Sequence, residues 1–234
     1  MQFSKQLAIN AINRLKRQII VIYHYILGII TFPIQLFFLS KIDLKIDNSI
    51  NRVRIINKFI NENNFKNYLE IGCDLDKTFN NVDIENKVGV DPVRGGTFRG
   101  TADKFFSSNL AYFDVIFIDG SHMVEDVYKD LVNSLNVLNI GGIVFLDDIL
   151  PVKQITTFRN RCTNKWHGDV YKIIKFIRDI EGIEFYFLPF DHGMAYIKKN
   201  KNQILSIKPY NFNDFSFKDY KHIIQNESKF KYEI

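Results

Sequence analysis

Apolar residues recur along this chain in two periods. Ile50, Val53, Ile56 (or Ile55), Phe59 and Ile60 return at helical spacing before a polar stretch at residues 61–64, which predicts an amphipathic helix leading into a domain. Four short apolar runs follow, at residues 68–71, 88–90, 115–118 and 143–146, each ending at a Gly or an Asp. They read as strands. Between the third and fourth, Val124, Val127, Leu131, Leu135 and Leu138 repeat at intervals of three and four, which predicts a helix of about four turns. Near-continuous apolar strands joined through helices imply a parallel sheet covered on both faces, an α/β architecture. Further on, residues 184–189 and 194–198 flank Phe190, Asp191, His192 and Gly193, a hairpin pattern at the sheet's edge. No internal repeat is visible.

Ahead of these elements, residues 19–39 (IIVIYHYILGIITFPIQLFFL) form a mostly apolar stretch, preceded by Lys5, Arg14, Lys16 and Arg17 with no acid. Its length suffices for a bilayer. Against a simple span stand His24, Thr31, Pro33 and Gln35, and the positive-inside rule, which would send everything after Leu39 outside. A signal peptide fits worse, because no small-residue cleavage site follows. A helix held at the cytoplasmic face of a membrane is the first reading; docking on the domain, or on a second copy of the chain in a homo-oligomer, is the alternative. The chain divides into an apolar helical extension (1–47), a domain (48–200) and a basic tail (201–234).

With 234 residues, 46% hydrophobic and 24% charged, the chain is globular rather than disordered. The net charge of +5 conceals an asymmetry: residues 70–150 hold 14 acids against six basic residues. The basic excess lies at the two ends, so nucleic acid is not an expected partner. Two cysteines, Cys73 and Cys162, make neither a disulfide framework nor a zinc set, which suits a reducing, cytoplasmic compartment.

Ligands of open parallel sheets bind beyond the strands' carboxyl ends, and here those ends are acidic: Glu70, Gly72, Asp74 and Asp76, then Asp91, then Asp119 and His122, then Asp147 and Asp148. Gly72 lets the backbone approach a ligand, and Asp91, nineteen residues later, can take both ribose hydroxyls of a nucleoside. Asp74 and Asp76 stand where a dinucleotide fingerprint needs glycines. They would repel a pyrophosphate and favour S-adenosylmethionine (SAM), which carries a sulfonium and an ammonium. The alternative is an ordinary strand-to-helix turn capped by Asp74 or Asp76. Asp119, Asp147 and Asp148 offer three oxygen ligands that suit Mg²⁺, or else cap a helix and touch the cofactor. Two adjacent carboxylates also call for a positive partner. His122 is the one histidine of the acidic stretch and a candidate general base; its alternative role is structural. Trp166 and His167 precede a helix with core-like Val170, Ile173, Ile174 and Ile177, which Asp169 is placed to cap.

The runs YLEIGCDLDKTF, VGVDP, TADKFF, FDVIFIDGSHMVEDVYKDLVNSLNVLNIGGIVFLDD and WHGDVYK, spanning about residues 68–198, resemble the class I SAM-dependent methyltransferases. More narrowly, they are similar to metal-dependent O-methyltransferases acting on sugars. Only one of the glycines common in the family's first motif is kept. The resemblance implies a Rossmann-like class I methyltransferase fold, with Glu70 and Gly72 on the methionine portion of SAM, Asp91 on the ribose, Ala102 and Asp103 near the adenine, and Asp119 shared between cofactor and metal. It also implies Mg²⁺ on Asp119, Asp147 and Asp148, His122 as base, and O-methylation of a hydroxylated acceptor such as a sugar or glycoconjugate. Two rivals remain. One is a hydroxylase resembling cephalosporin hydroxylase, although with only His122 in the crevice no two-His, one-carboxylate set is evident. The other is a non-catalytic SAM-binding protein at a membrane.

Overall fold

The computed structural model describes residues 40–226 and Phe230. The apolar segment 19–39 lies outside the described residues. Among those described, no helix is long and apolar enough to cross a membrane.

Seven strands form one sheet: β1 (Asn67–Ile71), β2 (Asn86–Asp91), β3 (Phe98–Arg99), β4 (Phe113–Ile118), β5 (Leu138–Leu146), β6 (Ile183–Leu188) and β7 (Met194–Lys199). Their order is β3-β2-β1-β4-β5-β7-β6. The first five are parallel, and β7 runs antiparallel to both β5 and β6. The expected parallel sheet with an antiparallel hairpin at its edge is therefore the observed one.

The strands read as continuous apolar runs because both faces are covered. Side chains alternate with a period of two. Tyr68, Val115, Phe117 and Phe145 pack on Ile55, Ile56 and Ile60 of α1 (Arg52–Asn63). Their neighbours Leu69, Ile71, Ile116, Ile118 and Val144 face the other side, against the apolar stripe of α3 (Val124–Val137) and Ile173, Ile174 and Ile177 of α4 (Ile173–Arg178). Helix α2 (Ala102–Ser108) lies between β3 and β4 in sequence, and α5 (Phe217–Gln225) comes last.

Four local readings are corrected. Helix α3 ends at Val137, because Leu138 already belongs to β5, which starts five residues ahead of the apolar run at 143–146. Between β1 and β2 there is no α-helix, only a 3-10 turn at Phe79–Asn81, so Asp74 and Asp76 cap nothing. Asp169 makes no side-chain cap for the turn at Val170–Lys172; its Oδ1 instead accepts the Val124 amide, 2.9 Å away, at the start of α3. The region read as a basic tail adds Phe212, Phe215, Phe217, Tyr220 and Ile224 to the core.

The chain reaches α1 along a strap. Ile42 N donates to Val152 O (3.0 Å), Asp47 N to Pro189 O (2.8 Å), and Asp191 N to Asp47 O (3.1 Å). The strap thus ties the loop after β5 to the β6–β7 turn and delivers α1 beside it. Asn51 caps α1 by accepting from Arg54 N at 3.0 Å, which makes Arg52 the first helical residue.

Candidate active site

Strand order reverses between β1 and β4, so the connections leaving these two strands diverge and open a crevice at their carboxyl ends. A cavity of about 2140 Å³ lies there, larger than the roughly 300–1,000 Å³ of an ordinary small-molecule pocket and roomy enough for a nucleoside cofactor and a second substrate. Glu70, Gly72, Asp91, Ala102, Asp103 and Asp119 all line it, as does His122. Residues read separately from three strand ends and one helix start are thus brought onto one surface.

Gly72 is held at φ +91°, and a Cβ there would lie 2.3 Å from the Asp119 carbonyl oxygen. Only glycine allows the β1 and β4 ends to approach this closely. Glu70 is buried and accepts a hydrogen bond from the Tyr68 hydroxyl at 2.6 Å. Burial pushes its carboxyl up to about 7, against the lowering effects of Tyr68 and Arg52. Asp91 is also buried, yet the amides of Arg94 (2.8 Å), Val93 (2.7 Å) and Asp74 (3.0 Å) outweigh desolvation and hold it below the usual carboxylate range. Its oxygens therefore shape the loop after β2 as well as facing the cavity.

Asp74 and Asp76 have left-handed backbones, φ +46° and +58°. Asp74 pairs with Arg94, and Asp76 Oδ1 accepts the Gly96 amide at 2.6 Å. Both stitch the β1 loop to the β2 loop. With Asp74 paired to a guanidinium, the repulsion these acids would exert on a pyrophosphate is weaker than the sequence suggests. Burial pushes the Cys73 thiol up, consistent with a small filler of the turn.

The carboxylate cluster contains a residue the sequence did not single out. Arg52 contacts Asp119 through Nη1, Asp147 Oδ2 through Nη2 at 2.6 Å, and Asp191 Oδ2 through Nε at 2.6 Å. It lies over the Phe117 ring, 5.4 Å from the centroid. Burial disfavours its charge, but the three carboxylates more than offset this and hold it ionised. Arg52 and Asp191 line the cavity, whereas Asp147 and Asp148, 5% and 6% exposed, do not.

The three expected Mg²⁺ ligands are therefore engaged otherwise: Asp119 and Asp147 by Arg52, Asp148 by His122. Asp147, Asp148 and His192 do offer ligand atoms within 4.8 Å of one another. Arg52 Nη2, however, also lies 3.3 Å from His192 Nδ1, so this group too has a guanidinium against two of its three members. Like unit charges 4 Å apart repel by about 4 kcal/mol at an effective dielectric of 20, and a dication doubles that. Asp147 Oδ1, a buried acceptor with no hydrogen bond, favours a cation, but Arg52 Nη2 already pairs with the other oxygen of the same carboxylate. As folded, the cluster does not fit a divalent ion.

His122 Nδ1 is 2.9 Å from Asp148 Oδ2, an ion-pair contact without a hydrogen bond, and its ring stacks on Trp166, with centroids 4.4 Å apart and planes at 26°. Trp166 is in turn fixed by donating from Nε1 to the Phe158 carbonyl at 2.6 Å. His122 is the one histidine among the described residues that lines the crevice, although behind it His192 lies near Asp147 and Asp148 and His167 Nε2 is 3.9 Å from Asp148 Oδ1. His167 is 2% exposed and spends its ring nitrogens on Thr156 Oγ1 (2.8 Å) and the His192 carbonyl (3.1 Å). It is a packing residue and gives no second ligand for an iron set. His192, read as turn chemistry, belongs to the site through Arg52.

Residues 58–149 match a family described as a methyltransferase domain. No curated protein matches the sequence. Among solved structures, one from Staphylococcus aureus described as a caffeoyl-CoA O-methyltransferase is similar at 21% identity, over 64% of this chain and 85% of that one, with a TM-score of 0.51. An O-methyltransferase of Klebsiella pneumoniae is similar at 14% identity, over 66% and 82%, with a TM-score of 0.51. The O-methyltransferase TomG of Streptomyces achromogenes, solved with SAM, is similar at 12% identity, over 64% and 80%, also with a TM-score of 0.51. At these identities the likeness is one of fold. The family match assigns residues 58–149 to a methyltransferase domain, and the strand order with the likeness of fold gives the chain a Rossmann-like fold of the class I methyltransferase kind.

Proposed function

We propose that the chain is a SAM-dependent O-methyltransferase acting on a hydroxylated acceptor, with a sugar or glycoconjugate the first choice. The observation that carries this reading is the His122–Asp148 pair at the edge of a cavity whose wall also holds Glu70, Gly72, Asp91, Ala102 and Asp103. SAM supplies an activated methyl group on a sulfonium. Glu70, beside the Gly72 cradle, meets the ammonium of its methionine portion, Asp91 the ribose, and Asp103 with Ala102 the adenine.

His122 Nδ1 is buried and makes no hydrogen bond, so Nε2 is the nitrogen that takes the proton of the acceptor hydroxyl, and Asp148 Oδ2, 2.9 Å from Nδ1, stabilises the imidazolium that results. Trp166 keeps the imidazole in plane. The acceptor oxygen forms a bond to the methyl carbon as the carbon–sulfur bond breaks, giving a methyl ether and the demethylated cofactor. The protein's share is positioning and charge stabilisation. No step requires Mg²⁺, whose expected ligands are engaged by Arg52 and His122.

Two measurements test the reading. In calorimetry the full chain should bind SAM more tightly than NAD; the reverse order sinks it. With labelled SAM and candidate glycans, His122→Ala should lower kcat by about 10² to 10⁴, the range for loss of a general base, while SAM affinity stays within a few-fold.

A further inference from the structure

We propose that Arg52 is the resident cation of this site, doing at Asp119 and Asp147 what a divalent ion would do, so that the acceptor site works without a metal. The proposal deepens the methyltransferase reading and rests on it for the role of the acceptor. The binding geometry of Arg52 stands independently of that reading.

Three observations carry it. A guanidinium has five N–H donors in a fixed plane, and here its three nitrogens address three carboxylates that converge from β4, β5 and the β6–β7 turn. That is the geometry of a neutralising hub. Second, Arg52 is the first residue of α1, whose first turn holds no acid. A cation there opposes the helix dipole, so local helix energetics do not favour it and the carboxylates do. Third, the strap at residues 40–51 is bonded to the β5 loop and the β6–β7 turn, which fixes the helix start within reach of Asp191.

The consequence is that Arg52, not an ion, forms the cavity wall in front of buried Asp147. Nε serves Asp191, one Nη1 hydrogen serves Asp119, and Nη2 serves Asp147 and lies near His192. One Nη1 hydrogen is left to hold an acceptor oxygen beside His122, the positioning duty otherwise assigned to a metal.

The test uses Mn²⁺ titrated into the full-length chain, with free ion read by its electron paramagnetic resonance signal. Wild type should leave the ion free. Arg52→Met, which strips Asp119, Asp147 and Asp191 of their shared partner, should bind it at least about tenfold more tightly, since removal of one charge near 4 Å is worth about that much or more. Tight binding by wild type overturns the proposal, and so does a folded Arg52→Met that gains none. Should Arg52→Met not fold, wild type decides alone: a melting temperature unchanged by Mg²⁺ or EDTA supports the proposal, and a rise with Mg²⁺ reversed by EDTA refutes it. SAM calorimetry on the same wild-type sample separates the two readings. A chain that binds both SAM and Mn²⁺ loses only the role given to Arg52, while one that binds no SAM loses the methyltransferase assignment.

Discussion

Glu70 is the residue at which folding and cofactor binding pull against each other. Its carboxyl is raised by burial from an ordinary 4.5 to about 7, so its folded form prefers the proton. The stabilising contribution is complete below about pH 4.5 and is lost as pH rises through about 7. At 1.36 kcal/mol per pKa unit, ionising Glu70 in the folded protein costs on the order of 3 kcal/mol. Glu70→Gln, which still offers Tyr68 an acceptor, should therefore be more stable than wild type at pH 8, with the gap narrowing toward pH 5. Urea denaturation at the two pH values checks this, and an equal gap at both would exclude ionisation as the cause. SAM affinity of wild type should rise as pH passes about 7, because the ammonium meets a carboxylate only above that point, and Glu70→Gln should lose this dependence. Glu70, Asp91, Asp119 and His122 were legible in the sequence because Asp91 and Asp119 directly follow apolar runs, Glu70 interrupts one, and His122 stands three residues past Asp119. Arg52 was not, since it lies 67 residues from Asp119 and 139 from Asp191. In the linear pattern it is one more charge at the start of an amphipathic helix, and only the strap brings it to the crevice.

Among the elements, those with an uninterrupted apolar period were readable, and those defined by tertiary pairing were not. The first half of β5 carries Asn139, Gly141 and Gly142, which hide it until β4 supplies a partner at Phe113. The aromatic residues of the C-terminal region were masked by the lysines around them. The most informative junction is the crossing of the loops at His122 and Gly168. Asp169 N donates to the His122 carbonyl at 3.1 Å, and Asp169 Oδ1 caps α3, so one dipeptide fixes both the helix start and the histidine before it. Gly168 has φ +59°, and a Cβ there would fall 1.8 Å from the His122 carbonyl oxygen. Gly168→Ala should cost more than the roughly 1–3 kcal/mol of a left-handed alanine, and should lower kcat while leaving SAM affinity within a few-fold. Gly141→Ala is the control: its φ is +81° with nothing within 4 Å of the added carbon, so it pays the backbone strain alone. Melting curves and kcat for the two variants decide the matter. Equal losses in both would mean that the loop crossing does not position His122.

For the whole molecule, the point at which residues 19–39 join the domain decides where a membrane-bound chain would hold the cavity. The described chain begins at Ser40, whose amide donates to Gln154 Oε1 and whose carbonyl accepts from Gln154 N, both at 3.1 Å. Gln154 follows the carboxyl end of β5, so the apolar segment joins the domain on the edge that bears the crevice. A membrane-bound segment would therefore hold the cavity mouth near the lipid surface, where a membrane-borne glycoconjugate offers its hydroxyls. Lys5, Arg14, Lys16 and Arg17 would each add about 1 kcal/mol against anionic headgroups. A simple span conflicts with this placement, because it would carry a SAM-dependent site away from the cytosol. The expectation is that the full chain sediments with anionic phosphatidylserine-containing vesicles, less with neutral ones at equal lipid, while a chain starting at Ser40 stays in the supernatant and binds SAM equally well. If the full chain also stays in the supernatant and elutes as a dimer, the segment covers a second copy instead of lipid, and the crevice edge is a subunit interface.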